Sequence, residues 1–144
     1  MVAVAMASTA CSNNQASVGS IDGPVLASPG PESDLLDGMA AEVTGTLVLD
    51  QTTGCLIMEL EGVRYPLVWP AGTTWQEDPP AVVLEDGEKA EPGMTVYGAG
   101  GYLYRDHVEQ LAGPEVADAA DICAGPTGEI AFFNIGSEVD VILG

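Results

Sequence analysis

Residues 42–70, EVTGTLVLDQTTGCLIMELEGVRYPLVWP, decide how the chain is read. Thr44, Thr46, Val48, Ile57, Val63, Tyr65 and Val68 are β-branched or aromatic, types that fit a pleated, half-buried surface. They fall in three runs. Asp50-Gln51-Thr52-Thr53-Gly54 separates the first two, with an Asp able to accept hydrogen bonds from its own loop and a Gly free to take positive φ. Glu61-Gly62 separates the second and third as a two-residue hairpin turn. The stretch therefore predicts a three-stranded meander. Only Glu59 is charged in Leu56–Leu60, so that strand is expected to be largely buried. Pro66, which lacks an amide hydrogen, predicts an edge or a bulge in the third strand.

Downstream, Ala71–Pro80 reads as a loop and Ala81–Leu84 as a short strand. Lys89–Gly93 reads as a turn around Pro92-Gly93. Met94–Tyr104 is a strand carrying Gly98, Gly100 and Gly101, and glycines inside a strand mark a bend, a bulge or a close backbone approach. From His107 to Gly125 the apolar spacing suits one or two short helices, broken at Gly113-Pro114, with Pro114 placed for a first helical turn. Glu129–Asn134 and Ser137–Leu143 close the chain as strands. The expectation is a mainly β domain over residues 41–144: a small closed or partly open β-barrel with a short helical insertion before the last strands. Its strand economy resembles an OB fold, although that fold places its helix between the third and fourth strands.

Residues 1–10, MVAVAMASTA, are apolar and small, stop at Cys11 and give way to the polar Ser12-Asn13-Asn14-Gln15. This ending resembles a bacterial lipoprotein signal, with small residues at Thr9 and Ala10 before the cysteine. Ser8 stands where that family usually has Leu, and no Lys or Arg precedes the apolar run. The resemblance implies removal of residues 1–10, a diacylglyceryl group on the Cys11 sulfur, and an extracytoplasmic domain held to the cell membrane by that lipid alone. Residues 11–40, rich in Ser, Gly, Pro, Asn and Asp, read as a flexible tether.

Twenty-two acidic side chains face three basic ones, Arg64, Lys89 and Arg105, for a formal net charge of −19. Nucleic-acid affinity depends largely on Lys and Arg displacing counterions, so nucleic-acid binding is excluded on charge. Of the three cysteines, Cys11 is assigned to lipid. In an exported chain the remaining pair, Cys55 and Cys123, then reads as a disulfide. There is no CxxC and only one histidine, so no metal site is expected, and no sequence motif calls for a cofactor.

The aromatic residues Trp69, Trp75, Tyr102 and Tyr104, with His107, are expected near the mouth of the barrel as a contact surface for an envelope protein or small ligand. The functional expectation is an acidic binding or structural module of the bacterial cell envelope. A second reading stays open, an envelope enzyme using His107 beside Tyr102, Tyr104 and Arg105. Adjacent strand residues point to opposite faces, however, which would keep Asp106 from orienting His107.

Overall fold

The computed structural model describes residues 18–29, 41–125, 127–134 and 139–142. The expected meander is present as β3 (Ala41–Leu49), β4 (Leu56–Leu60) and β5 (Val63–Trp69). Its turns form as their chemistry requires. The Asp50 carboxylate accepts the amides of Thr52 and Thr53, at 2.9 and 3.4 Å. Glu61 and Gly62 both take positive φ, as a tight hairpin of this length demands.

The chain continues through β9 (Thr95–Leu103), α1 (Arg105–Ala112), α2 (Pro114–Ile122) and β10 (Ile130–Phe133). β3 pairs with β4, β4 with β5, β5 with β10, β10 with β9, and β9 returns to β3, so five strands close a barrel. All of these pairings are antiparallel except β5–β10, where Leu67 lies opposite Ala131. The result is a small OB-like barrel whose helical hairpin sits between its fourth and fifth strands. β11 (Asp140–Ile142) runs on beside β9 after β10. β9 thus pairs with β11 at Thr95–Tyr97 and with β10 at Gly100–Leu103. The glycines lie where it changes partner. At Gly100 a Cβ would stand 1.9 Å from the Phe132 carbonyl oxygen, so only glycine permits the closure there.

Pro66 is accommodated because β5 is an edge locally. β4 pairs with it up to Pro66 on one side, and β10 joins the other side only from Leu67.

The tether expectation needs correction for residues 18–29. β1 (Ser20–Asp22) and β2 (Val25–Ala27) form a hairpin there, and β2 pairs in parallel with the end of β5. Val25, Leu26 and Ala27 are buried, so this short run orders itself on an existing sheet edge rather than through a core of its own. The rest of residues 11–40, and Cys11 itself, lie outside the described residues. The expected loop and turn downstream also contain strands. β6 (Thr74–Gln76), β7 (Ala81–Val83) and β8 (Lys89–Ala90) make a separate three-stranded sheet.

Two cores result. The barrel interior holds Val43, Leu47, Met58, Leu67, Trp69, Val96 and Phe133, covered by Val82, Leu84 and Ala90 of the small sheet. Outside the wall, Val68, Ile130 and Phe132 meet Leu26 of β2 and the helical residues Val108, Ala112, Val116, Ala117 and Ala120. Strand alternation divides the two sets: in β10, Ile130 and Phe132 face the helices while Ala131 and Phe133 face the lumen.

Candidate functional site

The expected contact residues separate into buried and exposed groups. Trp69 is fully buried, its ring 5.5 Å from that of Phe133, and its indole N–H has no partner. It is not a mouth residue, because β2 and the β6–β8 sheet cover the end of β5. Trp75 on β6 is half-buried against the same interior. Its backbone N–H donates to the Asp22 carboxylate at 3.0 Å, and its ring lies over Gly23, so it clamps the β1–β2 turn to the small sheet. Tyr102 points into the barrel, ring to ring with Tyr65 at 4.9 Å. Burial raises its phenol pKa. The nearby Thr44 backbone opposes that rise without reaching hydrogen-bond geometry, leaving the hydroxyl buried and unpartnered.

Tyr104 and His107 do reach solvent. Tyr104 is the N-cap residue of α1, and its carbonyl accepts the His107 amide at 3.0 Å. Arg105 reaches across to the second helix, donating to Asp118, and also donates at 2.7 Å to Glu109 one turn along its own helix. These carboxylates hold the guanidinium well above its ordinary pKa. The arginine thus fastens α1 to α2. Tyr102 lies inside the barrel while His107 is exposed on the helical layer, so the cluster proposed from sequence is divided between two layers. A groove of about 560 Å³ runs beside α1, lined by Val18, Asp106, Glu109, Gln110, Gly113 and Pro114, but not by His107.

Cys55 and Cys123 form a disulfide, with Cα atoms 5.9 Å apart and a sequence separation of 68. It joins the loop before β4 to the C-cap of α2. These are the first-to-second and fourth-to-fifth strand connections of the barrel. Here they are tied together covalently.

One exposed aromatic was missed from the sequence. Tyr97 points outward from β9 and is 43% exposed. Its pKa is raised by Glu42, through a hydrogen bond and through charge, and further by Asp140. Only the β3–β9 and β9–β11 registers bring these three residues together, so no local pattern could have revealed them.

Among the described residues, no group of three or more His, Cys, Asp or Glu could hold a metal ion, and no helix is long and apolar enough to cross a membrane. No protein-family model, no curated protein and no solved structure matches the chain.

Proposed function

We propose that this protein is an exported, lipid-anchored, acidic module of the bacterial cell envelope, acting by binding or by structural support. The observation that carries the reading is the Cys55–Cys123 disulfide. Disulfides persist in oxidising compartments outside the cytosol. With that pair joined, Cys11 is the one remaining cysteine of three, placed after small residues at the end of an apolar run. The contact surface is the part of the expected aromatic group that reaches solvent, Tyr104 with His107 on the outer face of α1. With so few cations on the chain, the partner is not a nucleic acid.

The test is the intact mass of the protein recovered from its own cells. Expected is a chain beginning at Cys11 with a diacylglyceryl group, released into solution by C11A. An unprocessed Met1 with an unmodified Cys11 thiol would refute the reading.

A further inference from the structure

The first described residues, Val18 and Gly19, sit at one particular place on the domain. The Gly19 amide donates to the Ala112 carbonyl at 2.8 Å, and Val18 packs beside Gly113, at the corner where α1 turns into α2. Seven peptide steps separate Val18 from Cys11. At roughly 3.3–3.6 Å per residue, that stub spans at most about 25 Å. A domain of this length has a radius of gyration of roughly 14 Å and is about 35 Å across. The wall opposite the helices is β3, which pairs only with β4 and β9, while the helices pack on β2, β5 and β10. A path over the surface from Val18 to that wall is on the order of 55 Å for a body of this size. The stub is too short to let β3 reach the surface in which its own anchor sits.

From this geometry we infer that the α1–α2 hairpin is the membrane-facing surface of the domain, and that the lipid bilayer carrying the anchor is its partner. The inference rests on the lipid-anchor reading above and gives its contact surface an occupant. A second observation agrees with it. The two most exposed large apolar side chains among the described residues, Ile122 at 78% and Tyr104 at 57%, both lie at the open end of this hairpin, away from the Gly113 corner. Tyrosine is favoured at the headgroup level, with its ring in apolar surroundings and its hydroxyl in water. The hairpin is therefore held at two ends, by the lipid stub near Gly113 and by Tyr104 and Ile122 at the other.

Charge does not supply the attraction. Asp106, Glu109, Glu115, Asp118 and Asp121 all lie on the exposed helical surface, with Arg105 as the single cation among them. Anionic headgroups repel such a face over a Debye length of about 10 Å at 0.1 M salt. On anionic membranes the contact should therefore tighten as salt rises, opposite to the behaviour of a basic membrane-binding patch.

The test couples the full isotope-labelled chain, through the Cys11 thiol, to a maleimide phospholipid in phosphatidylcholine nanodiscs containing a nitroxide-headgroup lipid. Paramagnetic broadening of backbone amides then reads distance from the surface. Expected is several-fold stronger broadening at Val108–Glu115 than at Glu42–Thr46 of β3. Equal broadening, or more at β3, would overturn the proposal. Y104S combined with I122S should reduce broadening at the open end of the hairpin and preserve it at Gly113; no change at the open end would remove the two-ended contact. Whether cells lipidate Cys11 is read separately, by incorporation of a clickable fatty acid into wild type and C11A. Absence of label would defeat the anchor reading, while the coupled protein still decides the geometry.

Discussion

The barrel interior and the helical shell are both apolar, yet they are held together by different means. The interior is filled by large side chains, Trp69, Phe133, Leu47 and Met58, and enclosed by a backbone ladder that returns on itself. The shell is an alanine-rich seam, Ala112, Ala117 and Ala120 with Val108 and Val116, laid on Val68, Ile130 and Phe132. Small side chains allow close approach but bury little area each, and burial contributes roughly 25 cal/mol per Å². The shell is also where the covalent tie and the Arg105 clasp are found. A closed sheet secures its own contents, whereas a layer applied from outside needs fastening.

The most damaging change should fall in the interior. Trp69→Ala removes the largest fully buried side chain and is expected to cost about 3–5 kcal/mol, as large-to-small core substitutions do. Urea unfolding measures it, and hydrogen exchange should show barrel and helices losing protection together. A cost below about 1 kcal/mol would mean that the interior is not the main source of stability.

The disulfide comes next. On the chain-entropy account, closing a loop of this length stabilises the fold by about 4 kcal/mol. Replacing both cysteines with serine should cost up to that amount, with a distinctive distribution. Amides of α1 and α2 should exchange first while β3, β4 and β9 stay protected, because the barrel pairings do not pass through the bond. Uniform loss of protection would make the two layers one cooperative unit and dissolve the contrast between them.

The same contrast explains what could be read from the sequence. The meander was legible because its signals are local: Asp50 folds its own loop, Glu61-Gly62 makes its own turn, and the β-branched runs lie between them. The break at Gly113-Pro114 was legible for the same reason. The burial of Trp69 was not. It depends on β2 and on β6–β8, strands of two or three residues that are too short to show a period and that are flanked by Gly and Pro. β2 becomes a strand by docking on the β5 edge, and β6 and β8 by pairing with β7, the one of these runs that the sequence marks as a strand, so tertiary context overrides the loop-like composition around them. Among the candidate contact residues, Tyr104 and His107 are the two that lie exposed, at the start of α1. Tyr97 became visible only once register set it near Glu42 and Asp140. The cysteine pairing needed no geometry, only a count and a compartment.

A smaller perturbation examines the seam alone. Ala120→Leu inserts methylenes where the helix lies close to the sheet, and overpacking of this kind costs about 1–3 kcal/mol. Chemical shifts should move in α2, Val68 and Phe132, and remain in place at Val43 and Leu47 across the lumen. Shifts spread through the lumen would show that the barrel yields to its shell.

The smallest effect is alkaline and distinguishes the two tyrosines of β9. Tyr102 and Tyr97 both have pKa values raised above the ordinary value near 10, the first mainly by burial, the second by Glu42. A raised pKa means that the folded chain keeps the phenol proton to higher pH than the unfolded chain does. The associated stability is fully present below about pH 10 and is lost as pH rises through the folded value. Melting temperature should therefore be insensitive to either phenol below that point and fall above it. Tyr102→Phe should flatten the decline more than Tyr97→Phe, because the buried hydroxyl loses its proton into an apolar lumen while the exposed one loses it into water beside a carboxylate. Added salt should weaken the Tyr97 contribution by screening Glu42 and Asp140, and leave that of Tyr102 nearly unchanged. If salt abolishes both, the lumen around Tyr65 and Tyr102 is wetter than its packing implies, and the barrel is no better sealed than the surface it encloses.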